Sequence, residues 1–75
     1  MVKIAIYKKG DDVSLVIYRT PKGNLVGEVY ADGVCKRGKW SQRATFYESD
    51  GDATEQRVCE YFGFSLSDEW WHRWA

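Results

Sequence analysis

Apolar and polar residues alternate through the first half of the chain with the two-residue period of half-buried strands. Val2, Ile4 and Ile6 fall on one side of the stretch from Val2 to Tyr7, and Lys8-Lys9-Gly10-Asp11-Asp12 follows as turn chemistry. Val13-Ser14-Leu15-Val16-Ile17-Tyr18 repeats the alternation, which predicts a hairpin. Thr20-Pro21-Lys22-Gly23-Asn24 makes a second turn, with proline suited to the first corner and glycine to a positive φ. Leu25 to Tyr30 reads as a third strand. Asp32-Gly33 is a tight-turn signal, and Lys36-Arg37-Gly38-Lys39 extends that connection. In the fourth strand, Trp40 to Tyr47, the residues Trp40, Gln42, Ala44 and Phe46 alternate against Ser41, Arg43, Thr45 and Tyr47. Short connections between the four predict an antiparallel meander.

The period changes after Glu48-Ser49-Asp50-Gly51-Asp52. Asp52 has the chemistry of an N-cap, and Glu55, three residues on, completes a capping-box pattern. Val58, Cys59 and Phe62, with Tyr61 at the edge, share a helical face, and Gly63 is a stop residue, so a helix is predicted over 53–62. A second start signal follows, with Ser65 or Ser67 as cap and Asp68 and Glu69 where a helix dipole favours negative charge. On a helix Leu66, Trp70 and Trp74 lie along one line and Trp71 at its rim. So short a helix must be docked to persist. Trp70 and Trp74 are therefore expected as core anchors. The expected fold is α+β: one domain over 1–75, with a four-stranded meander, a following helix and a short C-terminal aromatic helix.

Strand parity also defines the sheet's other face. With Ile4, Ile6, Leu15 and Ile17 towards the helix, Tyr7, Val16, Tyr18, Tyr30 and Tyr47 fall opposite, although a bulge at Gly27 would displace Tyr30. Tyrosine is favoured at interfaces. Such a face is either covered by the tryptophan tail or left for recognition.

Composition supports one small globular domain: 75 residues, 44% hydrophobic and 29% charged, with a single proline. Net charge is zero but unevenly spread. Residues 1–47 carry nine basic and four acidic side chains, and residues 48–69 carry seven acidic and one basic. That bipolarity can orient the molecule on a charged partner. With no apolar segment of spanning length and no charged start leading into one, the expectation is a cytoplasmic protein without a membrane contact. Cys35 and Cys59 are then expected as free thiols, a disulfide between them being the alternative.

Few residues suggest dedicated chemistry. Lys36, Arg37, Lys39, Trp40 and Arg43 combine phosphate-neutralising cations with a stackable aromatic, a candidate nucleic-acid contact. The aromatic signature of RNA-recognition sheets is missing. Glu48, Asp50, Asp52 and Glu55 lack the spacing of a calcium loop. They read better as turn and cap residues, or as an acidic patch for a basic partner. His72 is the lone histidine, and one histidine with two widely spaced cysteines does not complete a typical zinc site. The glycines are scattered as turn punctuation rather than gathered in a phosphate loop. Neither catalysis, nor a cofactor, nor a metal is expected.

Two stretches carry a resemblance: Ile4-Ala5-Ile6-Tyr7 with Gly10, and Thr54-Glu55-Gln56 with Tyr61-Phe62-Gly63. With the strand meander and following helix, they resemble small phage-encoded inhibitors of bacterial defence, the anti-CRISPR proteins. The resemblance implies a non-enzymatic viral inhibitor acting in the host cytoplasm. Its partner would be a host protein or ribonucleoprotein complex that handles nucleic acid, and its effect evasion of host defence. Aromatic hot spots and two charge poles fit that role. Tyr7, Tyr18, Tyr30, Tyr47, Glu48, Asp50, Asp52 and Trp71 are the expected partner contacts. The rival reading is an RNA- or single-stranded-DNA-binding module using the basic 36–43 segment. A small homo-oligomer that hides its tryptophan tail is a third, beside a plain monomer.

Overall fold

The computed structural model describes residues 1–31 and 41–74. Among these residues five strands form one antiparallel sheet: β1 (Val2–Lys9), β2 (Val13–Arg19), β3 (Leu25–Ala31), β4 (Ser41–Phe46) and β5 (Glu69–His72). Their spatial order is β4-β3-β2-β1-β5. The first four are the expected meander. One helix, α1 (Glu55–Phe62), packs across β2 and β3. Trp40, expected to begin the fourth strand, lies outside the described residues, as do Lys36, Arg37 and Lys39.

The core lies between α1 and one face of the sheet. Leu15 and Ile17 from β2, Leu25 and Val29 from β3 and Phe46 from β4 meet Val58 and Cys59 of the helix. Gly27 makes that contact possible. A Cβ at this position would come within 2.7 Å of Val58 Cγ1 and 2.8 Å of Phe62 Cε2. No bulge forms there, because β3 stays in continuous register with both neighbours. The glycine's role is close approach of the helix.

The irregularity falls instead in β1. Its register with β2 shifts between Lys3 and Ala5, so Ile4 is an extra residue. Downstream parity inverts: Ala5 opposes Ile17 and Tyr7 opposes Leu15 on the helix side, while Ile6 opposes Val16 on the other. This corrects the strict alternation, which placed Ile6 inward and Tyr7 outward. Tyr7 is only 2% exposed and belongs to the core, so it is not a residue of the outer face.

Helix α1 begins two residues later than expected. Thr54, not Asp52, is the N-cap, its hydroxyl accepting the Arg57 amide at 3.2 Å. Asp52 pairs with the Arg57 side chain at 3.1 Å instead. Gly63 ends the helix at φ 80° as expected, and its amide bonds back to Cys59.

The tail is a strand, not a helix. Ser65 caps only a single 3-10 turn, Leu66–Asp68, with the Asp68 carboxylate accepting the Ser65 amide at 2.9 Å. Glu69 then turns to φ −56°, ψ 128°, and the chain runs extended beside β1. Aromatic residues suit extended backbone, and the free edge of β1 offers a row of hydrogen-bonding partners that a short helix lacks. The expected core anchors are accordingly outside: Trp70 is 61% and Trp74 82% exposed, and Leu66 is exposed too. Phe64 is the tail residue that enters the core.

Candidate interaction face

Among the described residues, α1 covers one face of the sheet and no helix covers the other. Cross-strand pairing arranges that second face in rows. Trp71, Ile6, Val16, Glu28 and Arg43 follow one another across all five strands, and Lys3, Tyr18, Val26 and Thr45 make the adjoining row. Tyr30, opposite Ser14, extends the face further. Val16, Tyr18 and Tyr30 thus lie on the side that alternation assigned them. The face is amphipathic: Val26 is buried, Ile6, Val16, Tyr18 and Trp71 are half-buried and Tyr30 is exposed, with cations among them.

Two of those cations sit over tryptophan rings. The Lys3 ammonium is 5.6 Å from the Trp71 ring centre and that of Lys8 is 4.1 Å from Trp70. Such contacts contribute about 0.5–1 kcal/mol each at exposed sites, and they hold the indoles against the sheet edge. Glu28 accepts the Tyr30 hydroxyl and lies 3.5 Å from Arg43. The bond to this carboxylate pushes the Tyr30 phenol up to about 12, so it remains a donor at physiological pH.

Other expected contact residues lie beyond the end of β4. Tyr47 follows β4, half exposed, and precedes a 3-10 turn, Glu48–Asp50. Asn24 accepts the Glu48 amide at 2.9 Å, which ties that turn to the β2–β3 connection. Glu48 and Asp50 are exposed, whereas Asp52 is committed to Arg57. Of the proposed nucleic-acid residues, only Arg43 is described. It belongs to the open face.

Sequence reasoning missed the cluster that holds β5 in place. Glu55, at the start of α1, accepts the Tyr7 hydroxyl at 2.5 Å with Oε1, and Oε2 lies 2.7 Å from His72 Nε2. His72 Nδ1 faces the Arg73 carbonyl at 3.1 Å. A carboxylate and a carbonyl can only accept, so the doubly protonated ring satisfies both contacts. The bond to Glu55 accordingly raises the His72 pKa above the ordinary histidine value. Burial, reinforced by Glu55, lifts the Tyr7 phenol far above its usual range. Burial likewise pushes the neighbouring Cys59 thiol up to about 11, so it is un-ionised and a poor nucleophile. Its possible partner Cys35 lies outside the described residues. The three members of the cluster come from β1, α1 and β5. Forty-eight residues separate Tyr7 from Glu55 and 17 separate Glu55 from His72, so no local motif marks them.

Among the described residues no three His, Cys, Asp or Glu side chains converge as a metal site would need, and no helix is long and apolar enough to cross a membrane. Comparison with protein-family models, with curated proteins and with solved structures yielded no match.

Proposed function

We propose that this protein is a non-enzymatic binding module, a small inhibitor of the anti-CRISPR type that occupies a bacterial defence or nucleic-acid-processing complex. The observation that carries this reading is the uncovered sheet face, where Tyr18, Tyr30 and Trp71 stand among Lys3, Lys8 and Arg43. Rigid aromatic bodies on a sheet bury area at little entropic cost, and cations beside them favour an acidic partner surface. Glu48 and Asp50 project from a separate turn and would meet basic groups at the rim. The test is phage plating on bacteria with an active CRISPR system, with and without the protein. Restored plating that is lost in Tyr18→Ala and Trp71→Ala, both still folded, supports the reading. Plating that stays suppressed with the unaltered protein overturns it for that system, and folded variants as active as the parent would remove the face from the account.

The paired cations and indoles at the β1–β5 edge favour a second reading, single-stranded nucleic acid lying across the same face. Labelled oligonucleotides at two salt concentrations decide it. Binding that weakens steeply with salt supports this reading, and no binding at low salt removes it.

A further inference from the structure

On the helix side of the sheet, at the start of β1 and the end of β2, lies a cleft of about 290 Å³ that the interaction face does not use. Val2 and Ile4 line it with apolar side chains, and Arg19, Glu55, His72 and Arg73 complete the lining. The backbone shapes it: the extra residue at Ile4 breaks the register there, and the Arg73 amide bonds the Ile4 carbonyl at 2.9 Å.

Charge distinguishes this cleft from an ordinary surface dent. Of the arginines in the described residues, Arg43 pairs with Glu28, and Arg57 with Asp52 and Glu60. Arg19 and Arg73 make no salt bridge among the described residues. The one acid in the wall is already occupied, since Glu55 accepts from Tyr7 with one oxygen and from His72 with the other. With both Glu55 oxygens engaged, the two guanidinium groups make the lining cationic beside the apolar side chains of Val2 and Ile4.

We propose that this cleft binds a small carboxylate carried on an apolar body, its hydrocarbon against Val2 and Ile4 and its carboxylate between Arg19 and Arg73. Guanidinium suits that headgroup because its planar donors match a carboxylate's two oxygens. The size is adequate. A cavity of about 150 Å³ accepts benzene, so this volume takes a six-carbon chain or one aromatic ring with its carboxylate. A free acid and the C-terminus of a peptide ending in an apolar residue share this chemistry.

Titration of the 15N-labelled protein with hexanoate, followed by amide shifts, tests the assignment. Saturating shifts are expected at Val2, Ile4, Glu55, His72 and Arg73, while hexanol and hexylamine produce none that saturate there. N-acetyl-leucine against its amide separates the two sources: binding of the acid alone extends the site to peptide termini, and failure of both confines it to free acids. Arg19→Gln and Arg73→Gln are each expected to weaken hexanoate about tenfold, the scale of one lost charge-assisted hydrogen bond. Arg43→Gln, on the other face, should leave hexanoate binding intact. The proposal falls if hexanol binds as well as hexanoate, if the shifts scatter over the surface, or if both cleft variants bind like the parent. Because the cleft and the interaction face lie on opposite sides of the sheet, failure here leaves the proposed function standing, and the reverse holds too.

Discussion

At the scale of single residues, Gly27 and His72 show how one position acquires a role from its distant neighbours. Alanine would ordinarily be better than glycine in a strand, by about 0.5–1 kcal/mol from the entropy of the unfolded chain. At Gly27 that gain meets contacts of 2.7 and 2.8 Å with Val58 and Phe62, both held in the core region by packing. Overpacking costs about 1–3 kcal/mol and wins. Gly27→Ala should therefore lower the melting temperature by roughly 5–15 °C in a domain of this size, measured by circular dichroism. An unchanged or higher value would mean that α1 moves away freely. His72 predicts a pH dependence. Its pKa is raised in the folded protein, so its contribution is complete below the unfolded value of about 6.5 and is lost as pH rises through the folded value. Glu55 and Glu69 are the charged groups facing it, with the Arg73 backbone carbonyl on Nδ1 and the Tyr7 hydroxyl sharing the Glu55 carboxylate. Thermal melts of the parent should fall from pH 6 to pH 8, and His72→Gln, which cannot titrate, should flatten that fall. Parallel profiles for the two proteins would exclude the Glu55 contact as its source.

At the scale of elements, β5 is the piece whose character changed most between pattern and structure. Leu66, Trp70 and Trp74 satisfy helical spacing, yet helical spacing is an argument only when a helix would bury what it aligns. Here the turn at Leu66–Asp68 stops after its first hydrogen-bonded residues, and the chain joins the edge of β1. Four strand residues, a histidine clasped by Glu55 and two lysine–indole contacts hold it there. Truncation after Asp68 keeps Phe64 in the core and removes β5 with the three residues that follow it. The shortened protein should fold, with stability reduced by about 1–3 kcal/mol for the lost edge pairing and charged hydrogen bond, read from urea unfolding. It should also lose partner binding. If stability is untouched, β5 is not docked in solution as described. Truncation after Gly63, which also removes Phe64, should be far more damaging.

At the scale of the whole molecule, the domain is two layers with one side of the sheet left open among the described residues. That asymmetry predicts asymmetric mutational costs. Leu15, fully buried beneath α1, should cost about 2–5 kcal/mol when cut to alanine. Tyr18, its near neighbour on the same strand but on the open side, should cost under about 1.5 kcal/mol while weakening partner binding. Urea denaturation beside a binding assay separates the two effects. Equal stability losses would mean that something covers the open face in solution.

What the chain order determined by itself is the frame: four alternating stretches with turn residues between them, one amphipathic helix, and the glycine that ends it. These are local properties, set by side-chain period and by the φ values that glycine and proline allow. The helix start was nearly legible, since Thr54 and Asp52 are both capping residues and only backbone geometry chose between them. Tertiary structure decided the rest. The extra residue at Ile4 turned Tyr7 inward, because a shift of one residue exchanges the two faces of a strand. An unpaired edge on β1 drew the tryptophan tail into the sheet, because backbone hydrogen bonds outweighed a helical pattern too short to bury its own aromatics. The Tyr7–Glu55–His72 cluster, the arginine-lined cleft and the place of Trp71 on the open face depend on those two non-local events.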